Sequence, residues 1–195
     1  MLSQLRPAIV STVLFTLLLG LGYPLAVTGV AGLVFPAQAA GSLIRDRSGQ
    51  VIGSALIGQG FAKPEYLHPR PSAAGSGYDA SASSGSNYGP LNADLIKRVS
   101  TDAATLRASG IQQIPADAVT TSASGLDPDI SPAYAMAQAG RIAAARGAAP
   151  DAVRTLIARQ VQGPLLGFIG QPRVNVLKTN LALDAALRGD QPPTR

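Results

Sequence analysis

Asp127 and Asp129 stand two apart in the stretch SGLDPDIS, a spacing found in hard-metal and acid/base sites. Calcium commonly takes six or more oxygens, and two carboxylates with no other strong ligand type nearby in sequence supply too few. The chain's one histidine, His68, lies far away in YLHPRP. A Ser-His-Asp triad would have to recruit it, and no G-x-S-x-G elbow presents a serine. No G-K-[ST] run marks a phosphate loop. The glycines of residues 75–89 lack the strand-to-helix setting of a dinucleotide fingerprint. These residues define no metal site and no catalytic group, and they argue against an enzyme acting alone.

What the two aspartates do adjoin is the start of a helix. Ser131 is a good N-cap, Pro132 suits the first helical position, and Gly147 fits just past the end. The predicted helix, Pro132–Arg146, is small-faced, with Ala133, Ala137 and Gly140 among its residues. Asp127 and Asp129 precede its partly positive end, and an Asx turn at Asp127-Pro128 would aim the chain into it. Asp127, Asp129 and Ser131 are read as the helix lead-in.

The remaining elements follow from pattern. Ser42–Arg45 and Gln50–Ile57 are β-type runs joined by the turn residues Asp46-Arg47-Ser48-Gly49. Residues 58–90, rich in Gly, Ser, Ala and Pro, read as a long loop, functional or mobile. Leu91, Leu95, Val99, Ala103 and Leu106 recur at helical spacing over Asn92–Ser109, with Gly110 as the stop. Ala118–Thr121 suggests a short strand. A further helix is predicted over Pro150–Val161, ended by Gly163-Pro164, with LLGFIGQP as an apolar connector. Val174–Val176 begins β-like and turns helical towards Leu187. Gly189–Arg195 reads as a frayed tail.

The N-terminal segment belongs to another solvent. No charged side chain occurs from Pro7 to Ile44. Ile9–Phe35 is almost wholly apolar, whereas roughly 20 residues suffice to cross a bilayer. Pro24 could kink it, which membrane helices tolerate. Ala37-Gln38-Ala39 resembles a signal-peptidase site, but a signal's apolar core runs to only about 7–15 residues, so an uncleaved anchor is favoured. Arg6 precedes the span, while Arg45 and Arg47, offset by Asp46, follow it. The positive-inside rule therefore divides, and a short N-terminus inside is the simpler insertion. Past the span lie 15 basic and 11 acidic residues, a net charge of +4. They are dispersed rather than focused on one face, which excludes a nucleic-acid surface. The absence of cysteine suits either compartment.

The expected architecture is α+β: residues 1–8 as a short cytoplasmic N-terminus, 9–35 as a transmembrane helix, and 36–195 as one mixed α/β extracytoplasmic domain. Two functions fit it. One is an accessory subunit docked on membrane partners; the other is a membrane-anchored or secreted hydrolase or binding module. The span favours the first, because Gly22 and Ala26 form a small-xxx-small pair and Gly20, Gly29 and Gly32 add flat surface for helix packing.

Five stretches then converge on one family. FPAQAAGSLI, SALIGQGFAKPEYLHPRPSA, SGSNYGPLN, SGLDPDISPAYAMAQAGRIAAARG and IGQPRVNVLKTNLALD run in order from residue 35 to residue 184. Together they resemble the C subunit of the Kdp-type potassium-transporting ATPase. The chain departs from the pattern at Tyr88, Asp129 and Lys178-Thr179-Asn180, differences expected to alter surface charge. The resemblance implies a non-catalytic, single-pass subunit of the bacterial inner membrane with its domain facing the periplasm. Implied partners are a channel-like potassium-translocating subunit, a P-type ATPase subunit and a small single-span subunit. It also implies a catalytic-chaperone role, raising the ATPase subunit's affinity for ATP, with no firmly bound cofactor and ATP entering only through that partner. Gln138 aligns with a glutamine tied to nucleotide binding in this family, but a domain outside the membrane cannot meet cytoplasmic ATP. Coupling through helix packing is the physically easier route.

Overall fold

The computed structural model describes residues 2–46 and 48–187; Arg47 and the tail Gly189–Arg195 lie outside the described residues. The chain divides into two compact units, Met1–Ile52 and Gly53–Arg195.

The first unit is dominated by one apolar helical run, Leu5–Val34, 30 residues long and unburied within the chain. A helix of this length, apolar all round, is long and apolar enough to cross a bilayer. It comprises α1 (Leu5–Leu17), a π-helical stretch at Leu18–Gly22 and α2 (Tyr23–Val34). The π stretch has a local cause. Pro24 carries no amide proton, and its ring would collide with the carbonyl four residues back, at Gly20. Widening the preceding turn, so that the Tyr23 amide donates to Leu18, relieves that collision. After a single helical turn, α3 (Pro36–Ala39), β1 (Leu43–Arg45) pairs with β2 (Val51–Ser54) as the turn residues predicted. Asp46 organises that turn, its carboxylate accepting from the amides of Ser48 and Gln50.

In the second unit, α4 (Ala93–Ala108) begins at Asn92, whose side chain accepts from the Asp94 and Leu95 amides. No α4 residue is fully buried, so the helix lies at the rim with Leu106 packed against the core. Leu91, expected on the inner face, is 91% exposed because it precedes the cap and falls in the turn closed by Asn92 on Gly89. Ala118–Thr121 is not a strand. Ala116–Ala118 forms a 3-10 turn after Pro115, with the Val119 amide returned to Ala116.

Three very short strands make an antiparallel sheet in the order β3 (Asp129–Ile130), β5 (Arg173–Asn175), β4 (Val161–Gln162). Val174 faces both Ile130 and Val161 across it. Against β5 pack α5 (Pro132–Ala137) and α8 (Val176–Leu187), while α6 (Ala139–Arg146) and α7 (Pro150–Arg159) pack on one another, with α7 also against α5 and α8. Ile130, Ile142, Val153, Ile157, Val174 and Leu183 are fully or nearly fully buried at the centre. The predicted single helix Pro132–Arg146 is broken at Gln138, where the amide reaches back only three residues to Ala135 before Ile142 resumes the regular ladder on Gln138. In Lys178-Thr179-Asn180, Thr179 and Asn180 are buried, so only Lys178 affects surface charge.

Candidate functional site

The polar side chains of the second unit converge on residues 63–68, inside the long loop. Five successive carbonyls there are each received by a side chain from a helix. Arg141 donates to Pro64 at 2.6 Å and to Tyr66 at 3.0 Å, and Arg146 donates to Glu65 at 2.8 Å. The Asn180 amide brackets Leu67, accepting from its N–H at 2.7 Å and donating to its carbonyl at 3.1 Å. Gln138 does the same to His68, accepting at 2.8 Å and donating at 3.0 Å. A backbone segment inside a fold must satisfy its polar groups, and here side chains stand in for a neighbouring strand. The loop is therefore clamped rather than mobile at this point.

Gln138 is 1% exposed and sits at the break between α5 and α6. Its Oε1 also accepts from Arg141 at 2.7 Å. With three hydrogen bonds made inside the fold, its amide would have to release His68 before taking a nucleotide. The His68 ring shares Lys63 O at 3.0 Å; a carbonyl can only accept, so Nε2 carries the proton. Burial, with the Arg141 charge beside it, holds the imidazole below its ordinary range. It is a neutral donor within the clamp.

Behind the clamp lies a buried ion pair. Arg146 meets Asp184 at 2.9 Å, with the two side chains 3% and 10% exposed. The guanidinium lies 5.3 Å from the Tyr66 ring centre, and the Tyr66 hydroxyl donates to Asp184 at 3.1 Å.

The two aspartates of SGLDPDIS separate. Asp127 accepts from the Asp129 amide at 3.0 Å, closing the Asx turn around Pro128, and pairs with Arg70 at 2.9 Å. Asp129 belongs to β3, where Asn175 donates to it at 3.1 Å and Arg173 pairs with it at 3.1 Å. Burial is the main reason its carboxyl is pushed above the ordinary range; Asp127's charge adds to that, while Asn175, Arg173 and Lys178 oppose it. Each carboxylate is spent on its own guanidinium. The turn is also crowded: a Cβ on Gly58 would lie 2.6 Å from the Asp127 carbonyl, so only glycine lets the long loop cross there.

Ser131 caps α5, its Oγ accepting from the Tyr134 amide at 3.0 Å. The carboxylate beside the cap is Asp117, which sequence reasoning passed over. It takes the Ser131 amide at 2.7 Å and the hydroxyl at 2.9 Å. A lone aspartate fourteen residues upstream gives no local signal. Losing a Ser cap costs about 0.5–2 kcal/mol. Ser131→Ala should therefore lower the melting temperature of the full chain by a few degrees in a circular-dichroism melt, and Asp117→Ala by at least as much. A larger loss in Asp129→Asn than in Asp117→Ala would return the lead-in role to Asp129.

The family model described as KdpC, K+-transporting ATPase, c chain, matches residues 5–185. The chain is 72% identical over 186 residues to the potassium-transporting ATPase KdpC subunit of Caulobacter vibrioides (strain NA1000 / CB15N), covering 95% of this chain and 94% of that one. It is 61% identical to the protein of the same name from Beijerinckia indica subsp. indica, over 99% of both chains. To the one from Rhodopseudomonas palustris it is 51% identical, over 95% and 98%.

Proposed function

The chain belongs to the KdpC family, the c chain of the K+-transporting ATPase, and from that membership we propose an accessory, non-catalytic subunit held in the membrane by Leu5–Val34. Its second unit stands on the outer side, and its partners are the potassium-translocating, ATP-hydrolysing and small single-span subunits of the same complex. The full-length family match carries this reading. The competing reading, an anchored hydrolase or binding module, finds no metal-ligating cluster among the described residues to support it.

The subunit raises the ATP affinity of its partner through the span. A domain on the outer side cannot reach cytoplasmic nucleotide, and Gln138 is occupied with His68. The glycines of the span are placed for contact instead. A Cβ at Gly29 or Gly32 would meet nothing within 4 Å, so their bare backbone serves no packing within this chain. Gly22, Ala26 and Gly29 recur at spacings of four and three, on one face of a helix; Gly32 lies beside that face and Gly20 on the opposite side. A packed helix biases a neighbour's conformational equilibrium only as far as it binds the two states differently, and that differential is what would appear as ATP affinity.

The test is co-purification of the tagged full chain with its complex from detergent, paired with the KM for ATP. Gly22→Leu and Gly29→Leu should insert normally, yet lower the yield of complex or raise the KM. If both leave yield and KM intact, the packing face lies elsewhere. Recovery of the chain with no ATPase partner at all would refute the subunit role itself.

A further inference from the structure

The β4–β5 hairpin ends in an apolar tip that the second unit does not cover. Leu165 is 66% exposed, Leu166 76%, Phe168 76% and Ile169 49%. No charged residue occurs from Gln160 to Pro172, and arginines bound the run on both sides. Arg159 is exposed at the end of α7, and Arg173, paired with Asp129, is still 48% exposed at the base of the hairpin.

The tip is ordered by its own hydrogen bonds. Leu165 and Ile169 exchange amide and carbonyl at 2.9 Å each way, while the Gly167 amide returns to Pro164 and that of Phe168 to Leu165. Leu166 holds a left-handed φ of 55°, a conformation that glycine or asparagine adopts more readily. An apolar side chain is thus kept at the apex at a conformational cost.

We infer that this tip is a second membrane contact, seated in the headgroup and upper acyl region of the same bilayer that holds the N-terminal span. Four observations select lipid as the occupant. Only Phe35–Ile52 separate the span from the second unit, a tether short enough to leave the tip within reach of the bilayer. The tip returns four amides to its own carbonyls, fewer than the hydrocarbon core demands but enough to ease its seating at the headgroup level. Its apolar residues are Leu, Leu, Phe and Ile, whereas protein docking centres favour Trp, Tyr and Arg. The flanking arginines match anionic headgroups, where their stems can lie along the apolar layer and their charges at the phosphates.

The inference rests on the span being embedded, so the experiment reads both. The chain has no cysteine, and single substitutions Val13→Cys and Phe168→Cys can each carry one environment-sensitive fluorophore. Labelled full-length protein, alone and in the assembled complex, is placed in phosphatidylethanolamine/phosphatidylglycerol vesicles containing spin-labelled lipid. Both positions should show blue-shifted emission and lipid quenching in both preparations. At Phe168 the quenching should weaken several-fold when phosphatidylglycerol is omitted or Arg159→Gln is added. Quenching at Val13 but water-like emission at Phe168 would overturn the tip contact and leave the anchor standing. A blue shift at Phe168 without lipid quenching, or quenching lost in the complex, would assign the tip to a protein partner instead. No quenching at Val13 would overturn both. An unchanged melting temperature confirms that each labelled variant is folded.

Discussion

Replacing Gln138 with leucine is expected to unfasten the loop at His68 without changing how tightly the folded complex binds ATP. Leucine keeps the volume and removes the amide. That leaves the His68 N–H and carbonyl without partners and takes an acceptor from Arg141. An unsatisfied buried polar group costs about 1–3 kcal/mol; His68 is only half-buried and water can still reach it, so the two backbone groups together stay within about that range. In a domain of this size each kcal/mol corresponds to about 2–4 °C of melting temperature, so the fall should be obvious in a thermal melt of the full chain. Gln138→Glu is a sharper variant. An oxygen would replace Nε2 opposite the His68 carbonyl, now 3.0 Å away, so two acceptors would face each other. That repulsion favours the protonated acid, but the Arg141 guanidinium 2.7 Å from the other oxygen favours the carboxylate, so the two oppose each other. Gln138→Glu should therefore lose the His68 carbonyl bond yet keep the Arg141 contact, and its melting temperature should fall less than that of Gln138→Leu. The KM for ATP, measured well below each variant's transition, separates a clamp from a ligand. A large rise in KM with an unaltered melting temperature would make Gln138 a nucleotide contact after all.

The contrast between clamp and helices shows what the sequence carried. The helices were legible because their signals are local. Asn92 caps α4, Ser131-Pro132 starts α5, and Gly147, at φ 62°, ends α6 in the left-handed conformation that glycine accepts readily. The span was legible from length and apolarity, and its π turn follows from Pro24. Of the sheet only β5 was legible, in the β-like start of Val174–Val176; β3 and β4 are two residues each, too short for a period of two to register. The clamp was less legible still. Its partners are separated by 70 positions for Gln138–His68 and 113 for Asn180–Leu67. A stretch rich in Gly, Ser, Ala and Pro reads as loop because it forms no ladder of its own, and nothing local reveals that distant side chains supply one. The same limit hid Asp117, whose bond to Ser131 is made in space across the 3-10 turn that replaced a predicted strand.

The largest loss of stability is expected from Asp184→Ala. Arg146 is nearly sealed from water, and Nη1 has no hydrogen-bond partner among the described residues, so its charge is offset chiefly by Asp184 and the Tyr66 ring. Breaking a buried pair by removing one partner typically costs about 3–5 kcal/mol, because the remaining ion keeps its desolvation penalty without its counter-charge. On the scale used for Gln138 this is on the order of 10 °C in melting temperature. The damage should extend beyond the pair. Arg146 also holds the Glu65 carbonyl, so a guanidinium that swings out in search of water would release the clamp. Hydrogen exchange of the Tyr66–His68 amides should rise well before global unfolding. The double variant Arg146→Met, Asp184→Leu removes both charges and fills the space, with the Glu65 carbonyl and the Tyr66 hydroxyl among the groups to be satisfied again. It should be more stable than Asp184→Ala alone, although it carries more changes. A double variant no better than the single one would show that the pair's Coulombic attraction, rather than an orphaned charge, holds this corner of the fold.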